Sequence, residues 1–254
     1  MDLRPKIDVD ILHGVYSVVF STNWSTEVIT SELGIPYLGP PYQLVSELTR
    51  QLENWRNLLP QSLQWYDDDR LNYPLADERS KIQGNKFFAM RAEDLSPNGL
   101  TPGMEIVQAE MRARYYYTLV LINRPCVYKI MHYPEHVTDK DRQSIVQCIR
   151  SSLLWPVALN PLKDRKRLVP YLFAWTTNFM TILTLLREVL RPCELRRTVE
   201  PYILPEEIEG TIVALLDWIK DMAQIDGTAE WAWKIMQQLY ADVNFITSPH
   251  LLER

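Results

Sequence analysis

Residues 168–186 read LVPYLFAWTTNFMTILTLL, and this stretch decides the class of fold because its 19 residues include no charged side chain. That length is sufficient to raise a membrane span as a possibility. The stretch also carries Asn178 and four threonines, and an amide and four hydroxyls make insertion into lipid costly. We therefore predict a buried core helix in a protein that does not span a membrane.

The segments on either side of this stretch are also typical of helices. From Tyr42, apolar residues recur at steps of three and four and define one helical face that Pro60 ends. Strand-like alternation is confined to Val15–Phe20, which is predicted to form either a short strand or a turn of helix. The same reasoning predicts five further helices: Met104 to about Asn123, Asp139–Leu154, Leu168–Leu190, Pro205–Ile225 and Thr228 to about Phe245.

The predicted fold is thus a single all-α, irregular multi-helix domain. Prolines, glycines and three adjacent aspartates predict a long loop-rich excursion at about residues 61–103. Residues 1–40 form an N-terminal extension to the domain, which covers residues 41–254. A content of 46% hydrophobic and 11% aromatic residues is ample for a buried core.

Charge and cysteine content limit the function. With 32 acidic and 27 basic side chains the net charge is −5, so no broad positive field favours specific binding of DNA. The three cysteines, Cys126, Cys148 and Cys193, cannot all pair, and no apolar signal segment follows Met1, which favours buried thiols in a reducing compartment.

Neither a metal site nor a cofactor is expected. His132 and His136 are four residues apart, but Pro134 between them interrupts the helix that would place both on one face. Asp67, Asp68 and Asp69 have no second acidic motif to complete a cage for a cation. The motifs of the common nucleotide and cofactor enzymes do not occur in the sequence.

Two blocks of sequence carry a resemblance to a known family. The first is Leu52-Glu53-Asn54-Trp55, which runs into Leu59-Pro60-Gln61-Ser62-Leu63-Gln64-Trp65 and the acidic Asp67-Asp68-Asp69. The second is Ala109-Glu110-Met111-Arg112-Ala113-Arg114-Tyr115-Tyr116, which leads to Ile122-Asn123-Arg124-Pro125. In this order and separation, they resemble the regulatory region of fungal zinc-cluster transcription factors.

This resemblance implies a regulator of transcription, located in the nucleus or cytoplasm, that controls a pathway of fungal secondary metabolism. The zinc cluster of that family needs six cysteines, and this sequence has three. The expected protein therefore acts through a homo- or heterodimer with a transcription factor, or through a bound hydrophobic metabolite. An N-terminal face of the regulatory domain is then left to residues 1–40, to a second copy or to a partner.

Four residues are candidates for binding that metabolite. Tyr116 and Arg124 lie near the predicted end of one helix, where they either fix a polar group of a ligand or serve packing and helix capping. Trp175 and Asn178 begin a stripe that continues at Thr181 and Thr184, which is either satisfied internally or faces a cavity. We predict that the main internal cavity lies between the two groups.

An alternative is a cofactor-free enzyme on the same scaffold, such as a cyclase that catalyses a pericyclic (Diels–Alder) step. That chemistry needs an apolar cavity and one or two hydrogen-bond donors, and the same four residues offer them. A third hypothesis is an inert helical protein that serves only as an interaction partner.

Overall fold

The computed structural model describes residues 40–65, 102–159 and 172–243. Most of these residues are helical and none of them is in a strand, which confirms the predicted all-α class. The α-helices are α1 (Tyr42–Asn57), α2 (Pro102–His132), α3 (Asp139–Leu159), α4 (Leu172–Leu190), α5 (Glu194–Val199), α6 (Pro205–Met222) and α7 (Gly227–Leu239). Much of the predicted excursion, the candidate strand Val15–Phe20 and the three aspartates at 67–69 lie outside the described residues.

Helix α1 follows the sequence prediction closely. Its apolar stripe of Val45, Leu48, Leu52 and Trp55 is buried, and it ends at Asn57, shortly before Pro60. A single 3₁₀ turn, Gln61–Leu63, then directs the chain towards α2.

Helix α2 is longer than predicted, because it does not end near Asn123 but continues through Pro125 to His132. A proline inside a helix removes one hydrogen bond and costs about 3 kcal/mol. Beyond it, Cys126, Val127 and Ile130 are all buried. Burial of these side chains offsets the proline, so that the helix continues for two further turns.

Helices α2 and α3 form an antiparallel hairpin that provides one side of the core. Their connection is short and includes the 3₁₀ turn Pro134–His136. Near the turn, Lys129 Nζ donates to Asp141 Oδ2 at 2.8 Å, and farther along the pair Cys148 Sγ lies 3.6 Å from the carbonyl oxygen of Val120. Contacts at both levels align α3 along the length of α2.

Helix α4 is buried on one side only. Thr176, Phe179, Ile182, Leu183 and Leu186 have no exposed surface, which confirms the predicted core position of this helix. Its other side is exposed at Ala174, Thr177 and Thr184 among the residues that the structure describes. Within the described part of the chain, no helix combines the length and the apolar character that crossing a membrane requires.

The C-terminal helices complete the core against α4. The short helix α5 was not predicted, and α6 and α7 end earlier than predicted, at Met222 and Leu239. After α7 the Tyr240 hydroxyl donates to the carbonyl oxygen of Leu183 at 2.6 Å. Arg187 donates to the carbonyl oxygen of Leu239 at 3.0 Å, which satisfies an acceptor at the C-terminus of α7.

Candidate functional site

The two sequence blocks meet in space through a polar network. The Tyr115 hydroxyl on α2 donates to Glu53 Oε1 on α1 at 2.5 Å. Arg56, one turn farther along α1, lies 3.4 Å from the same hydroxyl through its NH1 group and donates from NH2 to the backbone carbonyl oxygen of Trp65 at 3.1 Å. Glu53, Arg56, Trp65 and Tyr115 therefore join segments that are far apart in sequence; we call them the block contact.

Aromatic rings cover the guanidinium of the block contact. Arg56 Cζ lies 5.0 Å from the ring centroid of Trp65 and 5.1 Å from that of Tyr115. The two rings meet edge to face at 5.5 Å. A cation placed against two aromatic faces is held by cation–π attraction as well as by its hydrogen bonds, so Arg56 is fixed in position.

The electrostatics of Tyr115 keep its phenol protonated. Burial raises the pKa of Tyr115 well above its usual range, and the neighbouring Glu53 carboxylate, which accepts a hydrogen bond from the phenol, raises it further. At neutral pH, Tyr115 is therefore a hydrogen-bond donor. The geometry suits it to holding two helices together or to donating to a ligand oxygen.

Two further donors lie in the same blocks. The side chains of Trp55 and Trp65 are almost completely buried, and neither indole nitrogen has a hydrogen-bond partner among the described residues. An unsatisfied buried donor costs about 1–3 kcal/mol. A hydrogen-bond acceptor supplied to these indoles would recover that free energy.

The predicted ligand-binding residues have different environments. Tyr116 is buried, and its ring packs edge-on against Tyr115 with centroids 5.2 Å apart. Arg124 is exposed and is not at a helix end, because α2 continues past it. Trp175 is buried and Asn178 is half-buried. Their role in binding stays a prediction.

A row of aromatic rings links α2 to α4 through α3. Trp155 of α3 contacts Tyr117 of α2, with ring centroids 6.2 Å apart, and Phe179 of α4 at 5.1 Å. Phe179 in turn lies 5.5 Å from Trp218 of α6. These ring contacts join α2, α3, α4 and α6, and the predicted cavity stays a prediction.

The predicted stripe on α4 does not follow one face of the helix. In a helix with 3.6 residues per turn, a step of three residues turns about 300°, which is roughly 60° short of a full turn. The three steps from Trp175 to Thr184 therefore move the stripe to the opposite side of the helix. Accordingly Trp175 is buried whereas Thr184 is exposed. Thr181 and Thr184 donate to the carbonyl oxygens of Thr177 and Met180 at 3.0 and 2.7 Å, so these hydroxyls are satisfied within the helix, as one of the two readings anticipated.

The thiols and histidines show no arrangement for metal binding in the described part of the chain, where no group of three or more potential ligands occurs. His132 and His136 are exposed, and all three cysteines are free thiols. Burial, together with the nearby Asp141 carboxylate, raises the pKa of Cys126 to about 11. Burial also raises the pKa of Cys148, so both thiols stay protonated at neutral pH.

Sequence reasoning missed one charged cluster, which lies at the start of α3. Asp141 accepts from Lys129 Nζ at 2.8 Å and from the backbone N–H and hydroxyl of Thr138 at 2.8 and 2.7 Å. The spacing of Thr138 and Asp141 is that of a capping box, in which a residue three positions into the helix bonds back to the cap. That spacing was visible in the sequence, whereas the partner Lys129 on another helix was not.

Comparison of this chain with family models, with curated proteins and with solved structures finds no match in any of the three. The resemblance to zinc-cluster regulatory regions therefore stays a prediction carried by the two sequence blocks.

Proposed function

We propose that this chain is a regulatory module of transcription that acts through a partner protein or a bound hydrophobic metabolite. The expected setting is a fungal pathway of secondary metabolism, with the protein in the nucleus or the cytoplasm. The proposal derives from the resemblance of the two blocks to the regulatory region of zinc-cluster factors.

The observation that supports this proposal is the block contact. Glu53 and Tyr115, one from each block, are hydrogen-bonded at 2.5 Å, and Arg56, which lies between the two parts of the first block, is 3.4 Å from the Tyr115 hydroxyl. A resemblance that arose by chance would give no reason for the two blocks to form a common unit. Their contact is what a shared structural unit requires.

The number of cysteines bears on how such a module would contact DNA. A six-cysteine cluster cannot be assembled from three cysteines, two of which are buried with raised pKa values. The net charge of −5 also gives these residues no general attraction for phosphates. In our proposal a partner transcription factor therefore supplies the contact with DNA.

A tethering experiment tests the proposal. The chain is fused to a heterologous DNA-binding domain upstream of a reporter gene, and the transcript level is compared with that of the DNA-binding domain alone. Leu183→Asp, which disrupts the core, should abolish the effect, whereas Thr184→Asp at the neighbouring exposed position should retain it.

Two results would overturn the proposal. One is a reporter level that the fused chain leaves unchanged, together with unchanged transcripts of biosynthetic genes in a host from which the gene is deleted. The other is turnover by the purified protein, in which a polyketide or terpenoid precursor is converted into an isomer of unchanged mass. The second result would establish the cofactor-free enzyme instead.

A further inference from the structure

The connection between α5 and α6 exposes two large apolar side chains close together. Tyr202 is 64% exposed and Leu204 is 62% exposed, whereas Ile203 between them is 3% exposed and lies in the core. The two exposed residues are two positions apart, so their Cα atoms lie within about 7 Å of each other. Single exposed apolar residues are ordinary, but two on one short connection form a local patch. We call residues 200–207 the α5–α6 corner.

The backbone of the α5–α6 corner is held in place from several sides. The N–H groups of Tyr202 and Ile203 donate to the carbonyl oxygen of Val199 at 2.9 and 3.2 Å. The carbonyl oxygen of Tyr202 accepts from Arg150 of α3 at 3.0 Å. Pro205 then begins α6 with a fixed backbone angle. A surface that is already ordered loses little conformational entropy when a partner binds to it.

The charges around the exposed pair are negative. Residues 198–219 include five acidic side chains and no lysine, arginine or histidine. In the corner itself Glu200, Glu206 and Glu207 are exposed. Arg196 lies 3.7 Å from Glu200, a long contact between two exposed side chains. Glu206 and Glu207 form no ion pair with any residue that the structure describes, so their carboxylates are available to a partner.

This charge pattern disfavours several occupants of the corner. A two-fold pair of copies centred on it would bring Glu206 and Glu207 of each copy close to those of the other, and like charges in such positions are destabilising. The net charge of −5 adds to that repulsion. Nucleic acid and anionic lipid surfaces are disfavoured for the same reason. The complementary partner is a basic protein surface.

We propose that the α5–α6 corner docks a basic amphipathic α-helix of a partner protein. The apolar stripe of that helix would cover Tyr202 and Leu204, whose spacing is close to the 5.4 Å between successive helical turns. Lysines or arginines along the edges of the stripe would meet the carboxylates of the corner, because their apolar stems can lie on the exposed pair while their charged ends extend past it. The inference rests on the proposed function, because it names the chemistry of the partner through which the module acts.

The test uses three synthetic peptides of about 18 residues, or about 27 Å as a helix. The first carries an apolar stripe edged by lysines. The second has glutamates in place of those lysines, and the third has the composition of the first in an order that forms no stripe. Binding to the full chain is followed by fluorescence anisotropy of labelled peptides. The wild type should bind the first peptide at least about tenfold more tightly than either of the others.

Removal of the two apolar side chains tests their part in docking. Tyr202→Ser/Leu204→Ser should weaken binding of the first peptide about tenfold, and serine at position 204 suits the cap position that Leu204 occupies before α6. The matched control is Leu58→Ser/Ile225→Ser, which replaces two apolar residues that are 76% and 58% exposed elsewhere. The control should bind the first peptide as the wild type does.

Neutralisation of the carboxylates tests the charge. Glu206→Gln/Glu207→Gln should weaken binding of the first peptide and make it less sensitive to salt. The matched control is Glu135→Gln/Glu230→Gln, whose two side chains are 62% and 55% exposed on other parts of the surface. Both double variants change the net charge by the same amount, so only the first should alter binding.

The outcomes separate the docking surface from the proposed function. Equal binding of the three peptides by the wild type, or equal weakening in either control, would reject the corner as the site. A wild-type dimer in sedimentation that Tyr202→Ser/Leu204→Ser dissolves would assign the corner to self-association instead. The tethering assay uses no peptide, so reporter activity that survives this variant would reject the docking surface and leave the proposed function intact. Selective binding of the first peptide by a chain that leaves the reporter unchanged would support the docking surface and count against the proposed function.

Discussion

Replacement of Asp141 by asparagine removes a charge that holds α2 and α3 together. Asp141 accepts from Lys129 Nζ at 2.8 Å and from two groups of Thr138 at the start of α3. Only 9% of the Lys129 side chain and 18% of the Asp141 side chain are exposed. In Asp141→Asn, the ammonium of Lys129 keeps its burial but loses its counter-charge.

The expected cost follows from this burial. Breaking a fully buried ion pair by removing one partner costs about 3–5 kcal/mol, because it leaves an uncompensated charge. The partial exposure of Asp141 reduces this figure, and the asparagine oxygen still accepts a bond from Thr138. We expect Asp141→Asn to lower the free energy of unfolding by about 2–3 kcal/mol.

A double-mutant cycle separates the pair from its surroundings. Lys129→Met removes the ammonium and keeps the apolar part of the side chain, so Lys129→Met/Asp141→Asn leaves no buried charge. The double variant should be more stable than Asp141→Asn alone by about 1–2 kcal/mol. Urea unfolding followed by far-UV circular dichroism and tryptophan fluorescence measures all four proteins.

The same pair predicts a dependence on pH. Burial alone would raise the pKa of Asp141, but hydrogen bonds from Lys129 and from Thr138 together lower it below its ordinary value near 3.8. A lowered pKa in the folded state contributes stability above the unfolded value, and this is lost as the pH falls through the folded value. The difference between wild type and Asp141→Asn should therefore be constant above about pH 5 and shrink below about pH 4.

Two outcomes would refute this reasoning. If Asp141→Asn changes the free energy of unfolding by less than about 0.5 kcal/mol, the pair is solvated and its burial is misjudged. If Asp141→Asn and the double variant are equally stable, the lost free energy belongs to the helix cap at Thr138 and not to Lys129.

Three further experiments test the core and the thiols. Leu183→Asp should unfold the protein, because an unpaired buried carboxylate costs several kcal/mol. Thr184→Asp, at an exposed position, should change the melting temperature little. Thermal unfolding followed by circular dichroism distinguishes the two variants. Tyr240→Phe removes the 2.6 Å bond to the carbonyl oxygen of Leu183 and should cost about 1–2 kcal/mol in urea unfolding. Cys126 and Cys148, buried and with raised pKa values, should resist maleimide in the native protein at pH 7.5 and react only in denaturant, as mass spectrometry can establish.

Helix starts were predictable from the sequence where local chemistry fixes them. Pro205 occupies the first position of α6, and Asp226 caps α7 by accepting from the backbone N–H of Ala229 at 2.8 Å. Helix ends were less predictable. Pro125 indicates a stop by local rules, but the burial of Cys126 and Ile130 beyond it depends on α3, which the local sequence does not describe.

The error at the α4 stripe has a different origin. Trp175, Asn178, Thr181 and Thr184 look like one face because they are evenly spaced, yet a step of three falls short of a full turn. The buried side instead combines steps of three and four through Thr176, Phe179, Leu183 and Leu186. The threonine hydroxyls, which suggested a polar cavity, are satisfied by carbonyl oxygens of their own helix.

The block contact was beyond prediction from one sequence, because Glu53 and Tyr115 are 62 residues apart. The pattern of each helix shows which face is apolar but not which residue on one helix faces which on the other. Apolar contacts alone allow two helices to slide by a turn at moderate cost, whereas a buried hydrogen bond is lost with any such shift. The bonds of Tyr115 to Glu53 and Arg56 therefore fix the register of α1 on α2.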